Sequence, residues 1–397
     1  MSLSTLFSDR NIVLIYLFIL LVQYNSNTIL GGTTIIKLAL LGLSPFFILF
    51  KAPYVNKAFI LCVIFIFSCF IIAYLHGNMR ISTIGFSAMY VTNYIIIYNL
   101  IHSHSITTKE FILFVRFMII IYGIVLLLQQ ICLLIGLHNV YPINLSNQFY
   151  ISLFKLPSLS LEPSHSARIL TALVLVYLRC LELTNNGVKP TIANLFNKKN
   201  RLVMILFLWS MLTMGSGTAF IGLGLLCFYF IQKRTLIYAI PILLMLLFIG
   251  NSLNIHQMDR ALRVTQATLT GDVKKIQVED GSASSRIIPI INTLTIDLTS
   301  KDSWIGKGTS SHKKATTSWR RTTDKISIVE QYGLITFFIS LLLVYTCMIR
   351  KILSIESLYF IILLGMSLLN VYYYWGIMML FSIIKYFQEQ NIKGYNI

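Results

Sequence analysis

The chain alternates between long apolar runs and short polar breaks from end to end. A helix needs roughly 20 apolar residues to cross the ~30 Å hydrocarbon core of a bilayer. Windows of that kind fall at 11–27, 33–50, 58–76, 82–101, 110–136, 167–183, 202–215, 217–232, 235–253, 326–347, 354–371 and 374–388, which predicts twelve spanning helices. Arg10 precedes the first run, but no small-residue cleavage site follows it, so that run is expected to be a helix and not a removable leader. Composition agrees, because 56% of the residues are hydrophobic and only 12% are charged, where a soluble domain carries about a quarter charged. The pattern excludes an ordinary water-soluble domain. It predicts an all-α polytopic integral membrane protein with two long external loops. The expected organisation is N-terminal membrane helices over 1–136, a first loop over 137–166 and central membrane helices over 167–253. A large loop over 254–325 follows, then C-terminal helices and a short tail over 326–397.

Charge sets the orientation. Short cytoplasmic loops carry an excess of Lys and Arg. With the N-terminus inside, the basic residues of the short loops, from Arg10, Lys51, Lys57 and Lys109 to Lys198, Lys199, Arg201, Arg350 and Lys351, share one side. Arg80 is the chief exception on the other side, and both termini are expected in the cytoplasm. The large loop is external in this threading and carries twelve basic residues against seven acidic ones, where positive charge is normally sparse. An anionic ligand explains that excess, and a solvated loop whose charges only keep it soluble is the alternative. The net charge of +18 therefore points to loop anchors and an anionic ligand, and not to nucleic acid. The six cysteines lie in or beside apolar runs without a CxxC pair, as small packing residues do. The two halves do not repeat one another, which weighs against transporters built from paired repeats.

Three stretches carry candidate chemistry. In "SLSLEPSHSARIL", residues 158–170, Pro163 suits the first turn of a helix, so Glu162 is expected at a helix start. One reading makes Glu162 a capping carboxylate, with His165 and Arg168 snorkelling at the membrane surface. The other makes it a base beside cations that hold a phosphate, with Lys155 joining them. In "GSASSRIIPIINTLTIDLTSKDSWIGKGTSSHKK", residues 281–314, Arg286 offers a planar fork for phosphate oxygens, Gly306 and Gly308 mark a turn, and His312 follows. In "TMGSGTAFIGLGLL", residues 213–226, the small residues favour close helix packing over catalysis. Lys37 and Arg116 lie inside apolar runs, where charge is costly and faces a cavity or a partner. Lys37 is near the outer end of its span and Arg116 near the inner end of another, where it can snorkel. No DxD, Walker A or HExxH motif occurs, so neither a metal nor a nucleotide is indicated, and no cofactor is expected.

Together, "EPSHSA", "GSGTAFIGLGLL", "SSRIIPIINTL", "WIGKG" and "EQYGLITFFISLLLV" resemble the bacterial O-antigen polymerase family, which is related to the O-antigen ligases. Here Lys155 stands where that family often has Arg, and Lys313 follows His312 where Asn, Ser or Gln is common. The resemblance implies a metal-independent glycosyltransferase of the inner membrane. Such an enzyme joins oligosaccharide repeat units carried on undecaprenyl diphosphate into O-antigen or capsular polysaccharide at the periplasmic face. The implied catalytic groups are Glu162 and His312, and the implied diphosphate-binding groups are Arg286, Arg168, Lys155, His165 and Lys37. The implied partners are the lipid-linked oligosaccharides and the bilayer, with a chain-length regulator and a flippase as further candidates. A ligase shares donor and topology and stays open, as does a flippase for lipid-linked oligosaccharide, although the long external loop disfavours the latter.

Overall fold

The computed structural model describes residues 8–22, 42, 55–76, 81–103, 106–137, 155–230, 263, 266, 270, 275, 276, 278, 297–306, 308, 328–364 and 372–392. They form a helical bundle, and no strand occurs among them. In chain order the helices are α1 (Asp9–Leu21), α2 (Lys57–Leu75), α3 (Ile81–His102), α4 (Thr108–Ile135), α5 (Pro163–Thr184), α6 (Ile192–Leu195), α7 (Arg201–Thr213), α8 (Gly217–Phe230), α9 (Lys301–Ile305), α10 (Ile328–Cys347), α11 (Ile355–Tyr359), which continues as a π turn over Phe360–Leu364, and α12 (Tyr372–Ile392). Helices thus lie on ten of the twelve apolar windows; 33–50, apart from Gly42, and 235–253 lie outside the described residues.

Local chemistry sets several helix starts. The side chains of Ser8, Asn56 and Ser354 accept from the first-turn amides of α1, α2 and α11. Thr107 and Glu110 form a reciprocal capping box at the start of α4, and left-handed Gly136 closes its other end.

Two helices, α5 and α12, occupy the centre. Residues 166–178 of α5 and 373–384 of α12 are buried on every side. Around them α4, α8, α7 and α11 enclose α5 or its neighbours, while α1, α3 and α10 pack on α12. Close approach depends on small residues. A Cβ on Gly222 of α8 would stand 2.2 Å from the Thr171 hydroxyl oxygen of α5, and one on Gly123 of α4 would meet Leu206 of α7 at 2.8 Å.

The perimeter is also apolar. Phe67, Ile71 and Tyr74 of α2, Leu113, Phe117 and Leu134 of α4, and Phe338 of α10 are all exposed. So many large apolar side chains exposed on the described helices suit an apolar environment. Helices α2 and α4 are long and apolar enough to cross a membrane.

Cross-helix contacts reveal the order of threading. At one end, Arg10 pairs with Glu110 at 2.6 Å, Arg116 donates to the Lys199 carbonyl at 2.8 Å, and Lys189 donates to the Tyr229 carbonyl at 2.9 Å. Arg179 and Glu356 meet at 2.7 Å at the same end. Halfway along α4, the Tyr122 hydroxyl donates to the Leu21 carbonyl at 2.6 Å, and toward the opposite end Gln130 donates to Thr213 at 2.8 Å. These pairs set the N-terminal ends of α1, α4, α7 and α11 beside the C-terminal ends of α5 and α8, so α5 and α8 run antiparallel to the other four. Basic residues Arg10, Lys109, Lys189, Lys198, Lys199, Arg201, Arg350 and Lys351 all belong to the first end.

Three elements depart from expectation. Helix α7 has 13 residues, about 20 Å of rise, short of the ~30 Å core. Within the window 354–371, the described residues, which end at 364, form a short α-helix passing into a π turn. Helix α10 is broken inside its first turns, where Gly333 takes φ 78 and ψ 175.

Candidate functional site

The segment before α5 runs back into the bundle. Leu156, Ser158 and Ser160 are buried in alternation. A buried strand of backbone must satisfy its polar groups, because an unpaired amide or carbonyl is costly away from water. Helix α4 supplies the partners. The Gln129 side-chain amide accepts from the Ser158 amide at 2.8 Å and donates to the Ser158 carbonyl at 3.2 Å. The Ser158 hydroxyl donates to the Tyr122 carbonyl at 2.6 Å, and the Tyr122 hydroxyl stands 3.3 Å from that of Ser160. Ser158 adopts φ 51, a left-handed conformation uncommon outside glycine, which these bonds hold in place. The Ser166 hydroxyl closes the turn onto the Pro157 carbonyl.

This anchoring fixes the lip of α5. Glu162 occupies the N-cap position in an extended conformation and Pro163 takes the first helical position. The Glu162 carboxylate does not cap the helix. It accepts instead from the Ser164 hydroxyl at 3.2 Å and stands 3.8 Å from His165 Nε2. Its side chain is 42% exposed and that of His165 is 14% exposed. The pair therefore opens outward as a carboxylate beside an imidazole, the composition of a proton-accepting site.

Arg168 lies one turn deeper and is buried. It does not snorkel. Its guanidinium donates to the Tyr373 hydroxyl of α12 and lies 5.6 Å from the centre of that ring. The His165 ring packs on the same Tyr373 at 4.7 Å between centroids. Tyr359 of α11 donates to the Arg168 carbonyl at 2.8 Å, so three helices converge here.

Of the residues expected from sequence, Glu162, His165 and Arg168 come together. Lys155 is half-buried at the start of the described loop. Lys37, Arg286 and His312 lie outside the described residues. Sequence reasoning missed Tyr122, Gln129 and Tyr373, which shape the site from other helices. Gln129 and Gln130 did carry a signal, since they are polar residues inside an otherwise apolar run. Tyr373, inside "YYYW", carried none that distinguishes it from its neighbours.

The "WIGKG" and "EQYG" stretches meet. Asp297 accepts from the Thr299 hydroxyl at 2.6 Å and the Thr299 amide at 2.9 Å, which hold its carboxyl below the ordinary carboxylate range. The resulting turn starts α9 and leads to Gly306, which faces Gly333 at the break in α10. The Gly308 amide donates to the Gln331 carbonyl at 3.1 Å, and His76 Nε2 stands 3.3 Å from the Ile305 carbonyl. Trp304 is 40% exposed beside this joint.

At the other end of α5, Arg179 binds Glu356 at 2.7 Å and Glu182 at 2.8 Å. The Tyr229 hydroxyl donates to Glu182 at 3.0 Å, and Lys189 sits 4.9 Å above the Tyr229 ring. Two cations and two carboxylates balance, which makes this a fastening between α5, α8 and α11. Among the described residues, no group of three or more His, Cys, Asp or Glu side chains is arranged to hold a metal.

No family model matches the chain, no curated protein is similar to it at a significant level, and no solved structure matches its fold.

Proposed function

We propose that the protein is a multi-pass inner-membrane glycosyltransferase that polymerises surface polysaccharide from repeat units carried on undecaprenyl diphosphate. In this reading twelve helices span the bilayer and both termini are cytoplasmic. The basic end of the bundle faces inward, and the loops 137–166 and 254–325 are periplasmic. The supporting observation is the cluster of Glu162, His165 and Arg168 at the end of the bundle opposite the basic one.

The chemistry suits such a cluster. The acceptor sugar's hydroxyl attacks the anomeric carbon of the donor. A C–O bond forms while the bond to the carrier diphosphate breaks. The diphosphate leaves with the electron pair, and the hydroxyl proton passes to a base. Glu162 or His312 takes that proton. Arg286, Arg168, Lys155, His165 and Lys37 offset the charge developing on the diphosphate, a role that preorganised cations can fill without metal. The carrier's polyprenyl chain stays in the bilayer against the apolar perimeter, and a flippase and a chain-length regulator act before and beside the enzyme.

The test is the glycan profile of a strain lacking the protein. Core carrying a single repeat unit supports the polymerase. Full-length glycan stranded on the carrier indicates a ligase, and intermediates trapped at the cytoplasmic face indicate a flippase; either result sinks the proposal.

A further inference from the structure

Three interactions converge on Tyr373, a side chain only 2% exposed and 205 residues from Arg168 in sequence. Its hydroxyl takes a hydrogen bond from Arg168, the guanidinium of Arg168 lies over its ring at 5.6 Å, and its ring packs against His165 at 4.7 Å. We infer that Tyr373 is a positioning residue, whose ring holds the His165 imidazole beside Glu162 and whose hydroxyl is itself held by the buried Arg168. This rests on the polymerase reading of the same site.

The physical case is one of leverage. His165 is on the first turn of α5, beside the lip that opens to solvent, and its Nε2 stands 3.8 Å from Glu162. An imidazole has two side-chain torsions, and a ring packed against it restricts both. The Tyr373 ring closes one side of it. Tyr373 is in turn fixed by a charge-assisted hydrogen bond, which is stronger than a neutral one and sets the ring's height along α5. The α5 backbone at Arg168 is tied to α11, because the Tyr359 hydroxyl donates to its carbonyl at 2.8 Å. The chain Tyr359, Arg168, Tyr373, His165, Glu162 thus runs from the core to the surface. A catalytic pair must be held to within about 0.5 Å, and misplacement by about 1 Å costs roughly 100-fold in rate.

The experiment uses the full chain in lipid nanodiscs with a lipid-linked repeat unit as donor and acceptor. Tyr373→Leu removes ring and hydroxyl; Tyr373→Phe keeps the ring. The Leu variant is expected to lower kcat about 100-fold while KM stays within about threefold, and the Phe variant to recover to within about tenfold of wild type. Carbethoxylation of His165, read on its peptide by mass spectrometry, should be several-fold faster in the Leu variant and near wild type in the Phe variant. A kcat for the Leu variant within about threefold of wild type, an effect on KM alone, or a Phe variant as inactive as Leu at equal melting temperature overturns the inference. Should the Leu variant not fold, the Phe variant decides. Unchanged KM and unchanged His165 protection with a modest kcat loss support the inference, and a lost protection or an altered KM overturns it. If the wild-type protein makes no polymer, the polymerase reading falls, while His165 reactivity still decides whether Tyr373 holds that ring.

Discussion

Replacing Gly333 with alanine should undock the segment that carries Trp304. Gly333 has φ 78 and ψ 175, a region essentially closed to residues with a Cβ, and forcing alanine into it costs about 1–3 kcal/mol. The new methyl would also stand 2.1 Å from the Trp304 carbonyl oxygen and 2.6 Å from the Gly306 nitrogen. Both are backbone atoms, so no rotamer change relieves the clash, and the segment must retreat by about 1 Å. That retreat breaks the 3.1 Å bond from the Gly308 amide to Gln331, and with it the 3.3 Å contact of His76 to Ile305, at about 1 kcal/mol each. The sum is about 3–5 kcal/mol, and each 1.4 kcal/mol is tenfold, so the docking equilibrium constant should fall by about two to three and a half orders of magnitude. Tryptic cleavage at the exposed Lys301 of α9 in detergent reads this directly. Cleavage should accelerate strongly in Gly333→Ala. In Gly224→Ala it should not, because a Cβ there meets nothing within 4 Å. Wild-type cleavage and melting in Gly333→Ala would refute the reasoning.

Gln129→Leu removes both bonds to the Ser158 backbone, leaving two buried groups unpaired at about 1–3 kcal/mol each; a lower melting temperature and shorter polymer are expected, and normal values for both would count against the anchoring. Arg179→Met leaves Glu182 and Glu356 facing one another and should destabilise by about 3–5 kcal/mol. Adding Glu356→Gln should restore at least part of the thermal stability, and a double variant no better than the single one would show that the cluster is not held by charge balance. Arg286→Ala should abolish visible polymer at normal protein level, a loss on the order of 10²–10³ in rate, while Arg286→Lys leaves it short and Arg263→Ala is mild; full-length polymer from Arg286→Ala would make that residue a surface charge only. Polymerisation by the purified protein should persist in a chelator, and activity lost there but restored by a divalent metal would overturn the purely cationic account of the leaving group.

Described helices fall on ten of the expected windows because an apolar run that leaves water has few choices. Its backbone must pair internally, and a helix does that within one segment. Ends were legible too: Pro163 marked the start of α5, and with it the place of Glu162. Breaks were less so. Gly333 sits in an apolar stretch that reads as continuous helix, and only its contact with Gly306 explains why the chain turns there.

The sequence by itself determined where the described helices lie, which of their ends gather Lys and Arg, and that a carboxylate, a histidine and an arginine share one helix start. It could not determine which way those side chains turn. Arg168 points to Tyr373, Ser158 to Gln129, and Gly306 to Gly333 only once the bundle is assembled. The physical reason lies in the hydrophobic pattern. Residues 166–178 of α5 are buried on all sides, while α4 is apolar both toward its neighbours and outward. Where every face is apolar, no stripe marks the packed side, so the choice falls to the fit of small residues and a few buried hydrogen bonds between segments far apart in the chain.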